Sequence, residues 1–336
     1  MSEDAHFEVP PPPPPLWLIA LLPGLGVFAS SIYLPSLPAM AVDLRVPVAW
    51  VQFSITVYLL AMTCCMLVIG PLSDRLGRRR LTLATLGLFL LGSALAMVAE
   101  HIAVLLVARA LQGMGASGGV VLARSMLRDR FSDQAAAKTS AHMSILIAVA
   151  PIVAPMVGGT LQQLFGWRAN LLLIALLAIA LLCITARWLH ETHPAHKRQA
   201  VSARSTMQGY LRMLATRQFM AYTIPIALGT AAAFAYQTAA PVLLIGQLHM
   251  SAAEYGVYAA MPAVGFIVGG SMTIRLASRV PGDALIRAGC IVFVAAGLLM
   301  TLSPRGCPLV EDTLERRIMR RLRKCDTNFF FKTPRA

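Results

Sequence analysis

The chain has 336 residues, of which 57% are hydrophobic and 13% charged, and its mean hydropathy is +0.68. Soluble domains carry about a quarter of their residues as charges, so this composition excludes an ordinary soluble fold. The formal net charge of +14 fits either a nucleic-acid-binding protein or basic loops that flank membrane spans. The placement of the basic residues along the chain decides between these two interpretations.

Residues 1–15 are acidic and proline-rich, without the basic start of a secretory signal peptide. The run from Pro10 to Pro15 predicts an extended cytoplasmic spacer, with a ligand for a proline-binding domain as the alternative. Nine apolar segments follow, each of a length that suits a bilayer-spanning helix. They cover about residues 16–40, 50–70, 81–99, 102–122, 140–163, 168–189, 218–245, 252–273 and 284–302.

The connections between these segments alternate in charge. One set, beginning with the loop after the second segment, carries 17 Lys and Arg residues, whereas the other set carries only Arg45 and Arg168. Because positive charge accumulates in cytoplasmic loops, the basic set is predicted to lie inside, together with the N-terminus. The basic residues therefore favour a lipid bilayer, and not nucleic acid, as the partner of the chain.

The longest basic connection divides the chain. Residues 16–189 form a predicted six-helix half, 190–217 a basic cytoplasmic linker, and 218–302 three helices of a second half. Residues 303–336 contain nine Lys and Arg residues and no apolar segment. We interpret this tail as foreign to the fold, the result of a frameshift or a lost 3′ end near residue 303, with a native nine-span protein as the alternative.

The second apolar segment leads into the run Gly70-Pro-Leu-Ser-Asp74-Arg75-Leu-Gly77-Arg78-Arg-Arg. A glycine is expected to end the helix here and to let a neighbouring helix approach. Asp74 then lies beside Arg75 and Arg78 in a tight loop at the cytoplasmic face. Such charges can hold helix ends together in one conformation and release them in another, so this run is a candidate gate.

Arg109 lies inside the fourth apolar segment, where an arginine costs at least about 2.5 kcal/mol on insertion scales. It shares a helix face with Gln112, so its charge is predicted to point at a polar, close-packed surface. Both residues are candidates for proton or substrate handling. The alternative is that the Arg109 side chain extends to the membrane interface.

Three further segments carry weaker signals. The fifth contains Pro151 and Pro155, which predict a bend, followed by Gly158 and Gly159. Its Ala150, Ala154 and Gly158 share one face, a small-residue stripe for close helix packing. Polar and aromatic residues of the first and seventh segments are candidates for a substrate-cavity wall, with helix packing as the alternative for the seventh segment. They are Ser31, Tyr33, Phe234 and Gln237.

Four of these runs resemble one family. The Gly70–Arg80 run closely resembles the loop-two/three signature of the major facilitator superfamily. The Arg109 segment resembles the fourth-helix signature of proton-coupled exporters in that superfamily, and Pro155-Met-Val-Gly158-Gly159 resembles their antiporter signature. The run Tyr33-Leu-Pro-Ser-Leu-Pro38 is similar to the first helix of the bicyclomycin/chloramphenicol-resistance branch. That branch usually has a proton-coupling aspartate where this chain has Ser31.

The resemblance implies an all-α, polytopic membrane protein with about nine of the twelve helices of the major facilitator fold. It implies a multi-pass transporter of the bacterial inner membrane that exports small amphipathic compounds by proton-coupled alternating access. We expect the chain to be a monomer, since the sequence gives no evidence for an oligomer. No enzyme reaction, cofactor or metal is expected, since the proton gradient supplies the energy. Two alternatives stay open: a solute importer or facilitator on the same scaffold, favoured by Ser31, and an inactive truncated product.

Overall fold

The structure is a computed structural model that describes residues 14–131, 133–192, 203–247, 249–259, 261–277, 280 and 282–302. The chain forms two compact units that divide at residue 270, and the contacts of the buried arginines and of α10 lie within the first unit. The described chain is helical, and its helices are α1 (Leu16–Ser31), α2 (Leu37–Asp43), α3 (Val48–Leu76), α4 (Arg78–Met97), α5 (Ile102–Arg130), α6 (Asp133–Phe165), α7 (Trp167–Trp188), α8 (Ala203–Ala215), α9 (Arg217–Pro241), α10 (Ala252–Tyr258), α11 (Met261–Ala277) and α12 (Gly282–Leu302).

Seven helical stretches of the described chain are long and apolar enough to cross a membrane, and they coincide with the first seven predicted segments. The eighth segment contains two helices, α10 and α11, and the ninth corresponds to α12, whose apolar part is Ala284–Leu299. A short 3-10 turn, Leu34–Ser36, joins α1 to α2, and a π-helical turn, Val242–Gln247, follows α9. Large apolar side chains such as Leu91 and Leu172 are exposed, as lipid-facing residues are.

Helix α5 lies at the centre of the first six spans, because it packs against α1, α3 and α4. Glycines make these contacts possible. A Cβ atom at Gly113 would overlap the carbonyl oxygen of Tyr58 on α3, and one at Gly119 would overlap that of Leu22 on α1. The backbones of these helices therefore touch directly, the close packing that small residues permit in membranes.

Helix α3 continues past Gly70 and ends at Leu76, so the prediction that the chain leaves the helix near Gly70 is wrong. The helix ends instead at Gly77, whose φ of 92° suits glycine and turns the chain into α4. Pro71 lies inside α3 and cannot donate to the carbonyl of Leu67, four residues earlier. The Tyr210 hydroxyl of α8 donates to that carbonyl oxygen at 2.9 Å, which explains how the helix tolerates the proline.

The predicted linker contains helix α8, which the sequence interpretation did not anticipate. Met207, Leu211 and Leu214 lie on one face of α8, whereas Gln208 and Arg212 lie well away from that face, so the helix is amphipathic. An apolar cavity of about 630 Å³ lies between α8, the C-terminal turns of α3 and Phe219.

Three stretches of the chain, residues 1–13, 193–202 and 303–336, lie outside the described residues. The polyproline spacer and the foreign tail therefore stay predictions.

Candidate functional site

Arg109 of α5 is the largest fully buried side chain of the described residues. Its guanidinium carbon lies 4.4 Å from the ring centroid of Tyr33 and 4.2 Å from that of Tyr58. The charge is therefore enclosed by two aromatic rings from α3 and from the turn after α1. This burial contradicts the alternative in which the side chain extends to the membrane interface.

The guanidinium has only one hydrogen-bonded partner among the described residues. Its Nη1 donates to Oε1 of Gln112 at 2.7 Å, and Nε2 of Gln112 donates to the hydroxyl of Ser93 on α4 at 2.9 Å. The Nε and Nη2 atoms of Arg109 are buried without an acceptor. A buried charge normally requires a counter-charge or a full set of hydrogen bonds, so Arg109 is an unusual group for a helix interior.

Hydrogen bonds hold both tyrosines in place. The Tyr58 hydroxyl donates to the carbonyl oxygen of Gly26 on α1 at 2.8 Å. The hydroxyl of Tyr33 lies 3.4 Å from that of Ser54, which itself donates to the Val51 carbonyl. These hydrogen bonds hold the two rings in position on either side of the Arg109 guanidinium.

The remaining predicted cavity residues lie in two places. Ser31 is the last residue of α1 and is buried, and Tyr33 contacts Arg109 as described. Phe234 and Gln237 lie on α9 and are half-buried. The adjacent Thr238 carbonyl accepts a hydrogen bond from Gln52 of α3 at 2.8 Å, which connects α9 to the first six spans. Phe234 and Gln237 form no described bond with Arg109, and the cavity wall stays a prediction.

Arg78 is the second buried arginine, and its surroundings differ. Its side chain pairs with Asp74, at 2.7 Å from Nη2, and with Asp129 of α5, at 2.9 Å from Nε. Nη1 donates to the Ser73 hydroxyl, and the backbone amide donates to the carboxylate of Glu191 at 2.8 Å. These contacts join the ends of α3, α4, α5 and the chain after α7, so we call Asp74, Arg78, Asp129 and Glu191 the Arg78 cluster.

The other predicted gate residues surround this cluster. Arg75 is exposed beside the apolar cavity under α8, and Gly77 forms the turn described above. At Gly70 the nearest side-chain atom to an added Cβ, from Val121, would be 4.0 Å away. The predicted close helix approach at Gly70 is therefore wrong, because an alanine would fit there.

Helix α6 contains Pro151 and Pro155 and runs without a break to Phe165. Two adjacent glycines place its backbone against two neighbours. A Cβ at Gly158 would overlap the Ile32 carbonyl oxygen after α1, and one at Gly159 would overlap the Ala252 carbonyl oxygen of α10. The carbonyl of Pro155 likewise lies against Gly256. Helix α6 thus connects the first six spans to α10.

A third charged contact lies at the opposite helix ends from the Arg78 cluster. Asp43, the last residue of α2, accepts from Arg168 at 2.7 Å and from the Trp167 indole at 3.0 Å. Arg168 also donates to the carbonyl of Ala99 at 3.1 Å. This partly exposed group joins α2, α7 and the loop between α4 and α5.

A family model described as the Major Facilitator Superfamily matches residues 19–307. The chain belongs to the major facilitator superfamily. Among its curated relatives, the uncharacterized MFS-type transporter YdgK of Bacillus subtilis is 30% identical over 296 residues, covering 87% of this chain and 74% of the relative. Multidrug resistance protein D of Escherichia coli K12 is 31% identical over 287 residues, covering 85% and 71%.

Solved structures agree on the fold of this major facilitator protein. A bacterial homologue of the human lysosomal transporter Spinster, in an inward-facing and unoccupied conformation, aligns with a TM-score of 0.63 at 16% identity. The alignment covers 79% of this chain and 63% of the other. The predicted fold class, an all-α polytopic major facilitator fold, is confirmed, and the chain is a membrane transporter.

Sequence interpretation missed four residues of this transporter's polar sites. Tyr58 and Ser93 complete the surroundings of Arg109, and Asp129 and Glu191 complete the Arg78 cluster. The last two had a readable signal, because each is an isolated acid where an apolar segment meets a basic loop. Tyr58 and Ser93 had none, since nothing in the sequence says which helices adjoin α5.

Proposed function

We propose that this transporter exports small amphipathic compounds by alternating access, driven by inward proton flow, and that it belongs to the bicyclomycin/chloramphenicol-resistance branch. The observation that carries the proposal is the buried Arg109, held by Gln112 between Tyr33 and Tyr58. Intramembrane charges mark substrate or ion pathways, because their insertion cost is otherwise not recovered. A relative named as a multidrug resistance protein supports the export direction.

The Arg78 cluster acts as the gate on the basic side of the membrane in this proposal. Its two ion pairs and the hydrogen bond from the Arg78 amide to Glu191 join the ends of four elements. The ion pairs are only partly buried, since the Asp74 side chain is 38% exposed and that of Asp129 is 20% exposed. Partly exposed ion pairs exchange readily with water. The cluster can therefore break and re-form as the transporter alternates between its two conformations.

In the same proposal, the contact of α6 with α10 is the second gate, at the helix ends opposite to the Arg78 cluster. Gly159 touches the backbone of Ala252, and Gly256 touches that of Pro155. The two prolines of α6 provide the bend by which this contact opens, because each removes one backbone hydrogen bond. In the described conformation the contact is closed.

The proposed topology follows the charge bias, with the N-terminus and the Arg78 cluster on the cytoplasmic side of the inner membrane. Residues 16–189 form the N-terminal half, 190–217 the linker and 218–302 part of the C-terminal half. The protein works as a monomer and needs no cofactor or metal. Single cysteines introduced at the exposed residues Ala186 and Glu100, in a variant without the native cysteines, test the orientation, because a membrane-impermeant maleimide applied to intact cells should label only the second.

A second function, facilitated diffusion without proton coupling, is favoured by one observation. Ser31 occupies the place of the proton-coupling acid, and Arg109 pairs with no carboxylate among the described residues. A serine hydroxyl does not exchange protons in the working pH range. This candidate predicts substrate movement in either direction along the gradient, independent of pH.

Everted membrane vesicles distinguish the two functions. Respiration acidifies the vesicle interior, and an amphipathic compound added outside should then cause proton release from the interior if the protein is an antiporter. Vesicles from the same host without the protein serve as the control. Uptake without proton release would favour facilitated diffusion, and the absence of any protein-dependent uptake would overturn both candidates.

A further inference from the structure

The Nε and Nη2 atoms of Arg109 are buried and have no acceptor among the described residues. These two nitrogens form one edge of the planar guanidinium, the edge that receives both oxygens of a carboxylate in a bidentate pair. The remaining nitrogen, Nη1, is already bonded to Gln112. The unsatisfied part of Arg109 therefore has the shape and charge of a site for a planar anionic group.

The acidic residues whose side chains the structure describes do not fill this edge. Asp43 pairs with Arg168, whereas Asp74 and Asp129 pair with Arg78. The other three acids are also away from Arg109. Glu100 is exposed at a helix end, Glu191 accepts a hydrogen bond from the Arg78 amide, and Glu254 caps α10. Ser31, where the resembled branch has an acid, is neutral at every working pH.

We propose that the counter-ion of Arg109 is the transported substrate, and that the substrates are amphipathic organic anions. The anionic group binds the Nε–Nη2 edge, and Gln112 and the two tyrosines keep that edge in position. This inference rests on the proposed function for the transport step, because Arg109 is fully buried in the described conformation and the substrate reaches it only during alternating access. A cation carrier would instead need a free acid at this place, and none of the described side chains supplies one.

Three probes with one apolar body separate charge from hydrophobicity. They are naphthylacetate, an anion, naphthylacetamide, its neutral counterpart, and naphthylethylamine, a cation. Binding to the purified full chain in lipid nanodiscs is measured by quenching of naphthyl fluorescence. We expect the anion to bind at least about tenfold more tightly than the amide, the ratio typical of one charge-assisted pair.

Gln112→Glu is the decisive variant. It keeps the size and position of the side chain but places a carboxylate 2.7 Å from Nη1, so Arg109 gains an internal counter-ion. We expect the preference for naphthylacetate to fall to within about twofold of the amide. Arg109→Gln should have the same effect, whereas Arg109→Lys should retain a reduced preference because it keeps the charge.

Arg187→Gln provides the matched control, because Arg187 is exposed on α7 and its loss removes the same charge elsewhere. Size-exclusion profiles establish that each variant is folded. Equal binding of anion and amide by the parent protein, or no binding of any probe, would overturn the inference. So would an anion preference that persists in both Gln112→Glu and Arg109→Gln.

The binding measurement tests the anion site and the vesicle assay tests the export function, so either proposal can be contradicted while the other stands. Anion-selective binding that Gln112→Glu removes, without export, would support the anion site and contradict the export function. Proton-coupled export of naphthylethylamine and naphthylacetamide but not of naphthylacetate would support export and contradict the anion site.

Discussion

Two buried arginines of this transporter, Arg78 and Arg109, lie in contrasting surroundings. Arg78 is 5% exposed and is bonded to two carboxylates and a hydroxyl, whereas Arg109 is 0% exposed and is bonded to one neutral amide. Removing a partner from a buried pair is costly, whereas a buried charge without a pair stabilises little. The comparison indicates that Arg78 holds the helix ends together and that Arg109 is retained for another purpose.

The largest expected effect on stability is that of Arg78→Gln. The variant leaves Asp74 and Asp129 without their cation, so we expect the free energy of unfolding to fall by about 2–3 kcal/mol, below the range for fully buried pairs because both acids are partly exposed. Titration with sodium dodecyl sulfate in mixed micelles measures this change. A loss under about 0.5 kcal/mol would show that the cluster does not stabilise this conformation.

Arg109→Gln should separate stability from transport. We expect the free energy of unfolding to stay within about 1 kcal/mol of the parent, because the lost ring contacts and the removed burial cost offset each other. Export should nevertheless fall more than tenfold in the vesicle assay. A loss of stability as large as that of Arg78→Gln would erase the contrast between the two arginines.

Tyr58→Phe tests how the enclosure of Arg109 is held. The variant keeps the ring over the guanidinium but removes the hydrogen bond to the Gly26 carbonyl, so we expect a loss of about 1 kcal/mol in the free energy of unfolding. Export should stay within about threefold of the parent, which corresponds to less than 1 kcal/mol. Tyr58→Leu removes the ring as well, so it should reduce both quantities further than Tyr58→Phe does.

The smallest effect is expected for Arg79→Gln. Arg79 neighbours Arg78 but is only half-buried, and its side chain donates to the Ala186 carbonyl at 2.8 Å in an exposed contact. Exposed polar contacts contribute little, so the free energy of unfolding should change by less than about 0.5 kcal/mol. A loss comparable to that of Arg78→Gln would mean that the number of positive charges at this face, and not the burial of Arg78, determines the free energy of unfolding.

Local spacing explains which parts of these sites the sequence reveals. Asp74 and Arg78 are four residues apart, and Arg109 and Gln112 three apart, so helical geometry alone suggests that each pair is close. The partners from other elements, such as Tyr58, Ser93 and Asp129, depend on how helices pack. One sequence does not specify that arrangement, because many helix pairs present similar apolar faces.

The fold class and the first seven spans were readable for a different reason. A bilayer admits only fully hydrogen-bonded segments, so length and hydropathy predict helices directly. Helix α3 shows the limit of this rule. Gly70 suggested an end to the helix, but the helix continues through Pro71, because Tyr210, 139 residues later in the chain, supplies the bond that the proline removes. A local signal was thus overridden by a distant hydroxyl.

The contact between α6 and α10 has a thermodynamic consequence for a protein that opens and closes repeatedly. Gly159 and Gly256 meet main-chain atoms of the facing helix, so these points of contact have no side chain to immobilise. Ordering long side chains costs about 1.5–2 kcal/mol each, and glycine contributes nothing to that term. Closing this contact therefore carries little entropic penalty, and opening it recovers little entropy. The two helices can exchange between joined and separated states without a strong bias from side-chain freedom.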